Sequence, residues 1–158
     1  MSADPHDLQG LQSSVGSGSV IVVSAGAGPF EQIMLDGRHM LRADEPAAAG
    51  GSDAGPNPYE LLLMALGSCT SMTVRLYASR KKWPLERVVV RLDHQKIHVE
   101  DCANCEDRNL MLDRIDLSLE FIGPLDEMHR ARLRDIADRC PVHRTLTSKI
   151  DIRTTVAP

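Results

Sequence analysis

A chain of 158 residues suits one domain and can bury a core without covalent staples. Aromatics make up only 3% and Trp83 is the sole tryptophan, so that core has to be aliphatic. A formal net charge of −4 with acids and bases interspersed leaves no basic footprint for nucleic acid, and no stretch approaches the ~20 apolar residues of a membrane span.

Met1–Gly18 is polar, carries Asp4, His6 and Asp7, and lacks the apolar block of a secretory signal. It reads as a flexible N-terminal tail ahead of a single domain from Ser19 to Pro158, in a cytoplasmic protein with no membrane and no nucleic-acid partner. Ser19–Ser24 is short and β-branched, which predicts a strand. Glu31–Leu35 and Arg38–Arg42 are two more, joined by the hairpin signal Asp36-Gly37. Ala43–Asn57 is a loop dense in Gly and Pro, of a length that is often functional.

A long helix follows, from Tyr59 to about Lys81. Asn57, Pro58 and Glu60 occupy N-cap, N1 and N3, the pattern of a capping box with proline at the first helical position. Leu62, Leu66, Cys69, Met72 and Leu76 share one face, and so many other positions are apolar that the helix is expected to be wrapped on most sides. Pro84 ends it. Arg87–Val99 alternates as a long strand with a slip near Gln95 that suggests a bulge. Ile115–Phe121 alternates as a half-buried strand closed by Gly123-Pro124. Asp126 caps a helix to about Arg139, with Leu125, Met128, Leu133, Ile136 and Ala137 inward. Pro141 stops that helix and opens a short helical turn. Lys149–Val156 reads as a last strand. Strands in antiparallel groups around one apolar helix give an α+β fold rather than a βαβ series.

Disulfides do not persist as staples in the cytosol, so the four cysteines ask for another reading: buried, metal-binding or redox-active. Cys69 lies about three turns into the long helix, among Gly67, Ser68 and Thr70. Gly67 costs a helix roughly 1 kcal/mol against Ala, a choice that makes sense where something approaches the backbone closely. The alternative for Cys69 is a buried structural thiol. Cys140 precedes Pro141 at the N-cap of the next helical turn, with His143 three residues on and Arg139 and Arg144 beside it, a setting that favours a reactive thiolate. Cys102 and Cys105, with His94 and His98 upstream, superficially offer four zinc ligands. On a strand the two histidines would lie about 13 Å apart by strand rise, too far for one ion, so the bland reading is an exposed loop and no metal is expected.

Three stretches combine. They are Gly50-Gly51-Ser52 with Gly55-Pro56-Asn57-Pro58 leading into Glu60, Ala65-Leu-Gly-Ser-Cys69-Thr70, and Cys140-Pro-Val-His143-Arg-Thr-Leu. Their order resembles the OsmC/Ohr family of thiol-dependent hydroperoxide reductases, over roughly Ser19 to Val156. Asp101-Cys-Ala-Asn-Cys-Glu106 resembles one branch of it. The resemblance implies antiparallel sheets around a long central helix in an intertwined homodimer, with sites at the subunit interface. It places Cys69 on the peroxide-attacking cysteine and Cys140 on the resolving one. His143, from its place three residues after Cys140, and Glu60 are the supporting residues, Glu60 foremost as the capping-box partner of Asn57. The resemblance implies an organic hydroperoxide substrate, an external dithiol reductant and no cofactor. In better-studied members a glutamate follows the Asn-Pro directly and pairs with an arginine near the first hairpin. Here Tyr59 holds that place, Glu60 is one step on, and Arg38 or Arg42 would have to serve. The alkyl group of the peroxide would suit an apolar pocket lined by Leu62, Leu66 and Met72. The alternatives are a non-catalytic module of the same fold that holds a small apolar ligand at the dimer interface, with Cys69 merely lining the pocket, and a metal-binding protein using Cys102 and Cys105.

Overall fold

The structure, a computed structural model, describes residues 5–25, 28–98 and 111–156. The fold is α+β with two antiparallel sheets, as the strand grouping predicts. The chain divides into two compact units, Met1–Leu61 and Leu62–Pro158, each with its own core.

The first unit opens with helix α1, Pro5–Ser14, where the sequence reading expected a tail. Its signal is sparse but physical: Leu8, Leu11 and Val15 recur at helical spacing, and they pack with Ala25, Ile33 and Leu35. Strands β1 (Ile21–Ser24), β2 (Gln32–Leu35) and β3 (Met40–Ala43) form a meander, pairing Ile21 with Leu35 and Leu35 with Met40. The Asp36-Gly37 turn joins β2 to β3. Gly37 takes a positive φ of 88°, and the Asp36 carboxylate accepts from the backbone of Arg38 and His39. A single 3-10 turn, Ala47–Ala49, interrupts the loop that follows.

That loop is organised by Asp44, which is buried and accepts hydrogen bonds from the backbone N–H groups of Glu45, Ser52 and Ala54 at 2.8, 2.8 and 3.2 Å. Gly51 and Gly55 let the backbone close on itself, since a Cβ on either would run into the carbonyl of Glu45 or Arg42.

Helix α2, Pro58–Lys81, begins as expected: Asn57 Oδ1 accepts from Glu60 N at 2.9 Å, and Glu60 Oε2 accepts from Asn57 N at 2.8 Å. By length and composition alone it could cross a membrane (24 residues, mean hydropathy 1.3), which corrects the expectation that no stretch comes close. The reason is that its charges sit near the ends while Ala, Gly, Ser, Thr and Cys keep the middle free of them; core helices of this composition pass the same test. In the second unit α2 buries one face, Leu66, Gly67, Thr70, Val74 and Ala78. It is not wrapped on most sides. Of the stripe Leu62, Leu66, Cys69, Met72 and Leu76, only Leu66 is buried; Leu62, Met72 and Leu76 are exposed.

Strands β4 (Arg87–His98) and β5 (Met111–Ile122) pair in an unbroken register from Arg87 with Ile122 to His98 with Met111, so the bulge expected near Gln95 is absent. Gly67 answers to this sheet: a Cβ there would lie 2.8 Å from Leu92 Cδ1, the close approach its helical cost suggested. Helix α3, Glu127–Ala137, is capped by Asp126, which accepts from His129 N at 2.7 Å. Leu133, Ile136 and Ala137 join Val74 and Ala78 in the core, with Trp83, Val88, Leu119 and Phe121 packed against them. Met128, expected inward, is exposed. Helix α4, Pro141–Leu146, follows. The strand expected over Lys149–Val156 does not form: the segment has no regular structure, and Ile152 is 83% exposed. Its alternation is that of a strand, but a strand exists only where a partner supplies the ladder.

Candidate functional site

Two elements of the second unit carry the two cysteines. Cys69 is half-buried on α2, and Cys140 is fully buried. Successive helical residues are turned by ~100°, so Cys69 and Thr70 look in different directions. Thr70 belongs to the buried face, whereas Cys69 belongs to the stripe of Leu62, Met72 and Leu76 that the unit leaves uncovered.

Cys140 is the N-cap of α4, as its place before Pro141 predicts. Its backbone is extended (φ −63°, ψ 142°), Pro141 opens the helix, and Cys140 Sγ accepts from His143 N at 3.2 Å. His143 therefore meets the sulfur through its backbone amide. Arg139 and Arg144, which flank it in sequence, are exposed. A second donor reaches the sulfur from α2: Thr70 Oγ1 donates to Cys140 Sγ at 3.4 Å, and neither residue is accessible to solvent. Sequence reasoning passed over Thr70. The one signal available was its place beside Cys69 in a run of small polar residues.

The other candidates are occupied elsewhere. Glu60 closes the capping box, and Arg42 pairs with Glu31 at 2.9 Å. His94 lies on β4 and contacts Asp113 at 2.9 Å. An unbroken strand from Arg87 to His98 keeps His94 and His98 about 13 Å apart by strand rise, and no group of metal-binding side chains occurs among the described residues. Cys102 and Cys105 lie outside the described residues. A cleft of about 670 Å³ opens along β5 and α3, lined by Leu117, Leu119 and Phe121 from the strand, Arg130 and Arg134 from the helix, and His143.

Residues 50–155 match the family model described as OsmC-like protein, a span that takes in α2 with Cys69 and α4 with Cys140. The chain belongs to the OsmC-like family. No curated protein sequence is a significant match. Among solved structures, the OsmC-like chain is similar to an OsmC-like protein from Mycoplasma pneumoniae, at 21% identity and a TM-score of 0.64, covering 81% of this chain and 85% of that one. It is also similar to an organic hydroperoxide resistance protein OsmC from Legionella pneumophila (20% identity, TM-score 0.58, 84% and 92% covered). A third is the organic hydroperoxide resistance protein OhrB of Bacillus subtilis (18% identity, TM-score 0.57, 84% and 93% covered). At these identities the likeness establishes the OsmC-like fold.

Proposed function

We propose that this OsmC-like chain is a cytoplasmic, thiol-dependent peroxidase that reduces organic hydroperoxides with Cys69 and Cys140 and needs no cofactor. One observation carries the reading: an accessible thiol on an apolar stripe stands one residue from Thr70, whose hydroxyl touches a second thiol sealed from solvent. An apolar stripe suits the alkyl part of a hydroperoxide, and the names of two structural relatives, the organic hydroperoxide resistance proteins, support that substrate class.

The cycle balances without a metal. The Cys69 thiolate attacks the terminal peroxide oxygen and takes its OH as the O–O bond breaks, so that Cys69 becomes a sulfenic acid, and the departing alkoxide picks up the proton the thiol had lost and leaves as the alcohol. Cys140 displaces its hydroxyl, forming the disulfide and releasing water. An external dithiol reduces the pair by exchange and is itself oxidised to a disulfide. The exposed stripe is also the surface that a second copy would cover, so the working form is a homodimer in which each Cys69 is roofed by its partner.

The test is consumption of an organic hydroperoxide with a dithiol reductant by native protein, Cys69→Ser and Cys140→Ser. Turnover should be abolished in the first variant and impaired in the second. Full activity in Cys69→Ser would end the proposal.

A second reading, a non-catalytic module that binds a small ligand, is favoured by the occupation of both Glu60 and Arg42 within their own unit, which leaves no acid–arginine pair between them. The cleft beside β5 would be its site rather than a pocket at a dimer interface lined by Cys69. Native protein that turns over no hydroperoxide with several dithiols, yet retains a small ligand through purification, would decide for it.

A further inference from the structure

We propose that Thr70 is a positioning residue for Cys140: its hydroxyl parks the buried sulfur against α2 and shields it until the neighbouring Cys69 has reacted. The shielding stands on geometry alone, and its use in catalysis rests on the two-cysteine reading above.

Of the hydroxyl residues around Cys69 on α2, Ser68, Thr70 and Thr73 make side-chain hydrogen bonds, and they behave differently. Ser68 donates back to Ala65 O at 3.1 Å, and Thr73 donates back to Cys69 O at 2.8 Å. This is the usual resting place of a hydroxyl in a helix. Thr70 had the same option but turns outward from the helix to Cys140 Sγ, 70 residues away in sequence. A buried hydroxyl costs free energy unless it is hydrogen-bonded, so a valine of the same shape would serve a purely steric role better. The sulfur is held from two sides, by the side chain of Thr70 and by the backbone of His143, on a backbone that Pro141 restricts.

In this state an oxidant entering from solvent meets Cys69 first. Once Cys69 is a sulfenic acid, Cys140 leaves the Thr70 hydroxyl. The Cys69 S–O bond and the Cys140 S–H bond are lost as S–S forms and water departs. Thr70 acts only through Cys140 and touches no substrate.

The Cys69→Ser background isolates Cys140, and iodoacetamide alkylation followed at the Cys140 peptide by mass spectrometry reads its shielding without any peroxide. A buried thiol reacts through local opening, and loss of one hydrogen bond should speed that opening by about three- to tenfold. Thr70→Val should therefore alkylate faster than native Thr70, and Thr70→Ala faster than Thr70→Ser. The second comparison holds volume constant and stands if the valine variant fails to fold. Equal rates within the pairs, or Ser and Ala alike and both faster than Val, would reduce Thr70 to a packing role and overturn the proposal. Loss of hydroperoxide turnover in native protein would instead overturn the peroxidase reading, and the alkylation order would still decide what Thr70 does.

Discussion

Asp44 is 3% exposed, and among the described residues its carboxylate accepts hydrogen bonds from backbone groups alone. Burial raises the pKa of its carboxyl, but the three N–H donors from Ala54, Ser52 and Glu45 outweigh burial and hold it below the ordinary 3.8. Because the folded value is the lower one, the stabilisation is present above pH 3.8 and is lost as pH falls through the folded value. Asp44→Asn should be less stable than native protein in urea at neutral pH, and the two should converge as the solution is acidified below pH 3.8. Curves that stay parallel would mean the loop does not depend on this charge. Gly51→Ala, which drives a Cβ into the Glu45 carbonyl, should cost about 1–3 kcal/mol at any pH, checked by the same unfolding curves. The sequence shows a loop rich in Gly and Pro but not its organiser. Asp44 bonds to backbone groups 1, 8 and 10 residues ahead, and any residue type carries those. Cys140 divides the same way: its capping place is legible from Pro141, whereas its burial and its contact with Thr70 depend on a helix 70 residues away.

Elements are legible where their signals are local. Asn57 and Glu60 satisfy each other's backbone donors, Asp126 caps α3, and Asp36-Gly37 turns the β2–β3 hairpin, each within four residues of chain. Asn57→Ala should remove about 1 kcal/mol of stability, read by chemical denaturation. A loss below the error of the curves would mean that α2 does not need its cap. Elements that depend on distant partners are less legible. The three apolar residues of α1 acquire meaning only against Ala25, Ile33 and Leu35. Helix α2 is apolar nearly all round, so periodicity could not tell the face against Leu92 and Leu133 from the one left open. Lys149–Val156 has the alternation of a strand without a ladder to join.

On the scale of the whole molecule, the open stripe of α2 departs from a self-sufficient fold, with Met72 69% and Leu76 53% exposed. A homodimer formed there predicts that Tm rises with protein concentration, since association stabilises by mass action. It also predicts that Met72→Glu elutes as a monomer. A concentration-independent Tm in native protein would place the stripe outside any such interface. The double duty of Cys140 reaches further along the chain. In the proposed cycle its sulfur is at once a reacting atom and the cap of a six-residue helix too short to persist by itself. A disulfide at that sulfur would withdraw an acceptor from His143 N, so α4 and the chain behind it should loosen in the oxidised protein. Trypsin should then cut at Arg144, Lys149 and Arg153 sooner after oxidation than before, making the C-terminal end of the polypeptide a proteolytic record of its redox history.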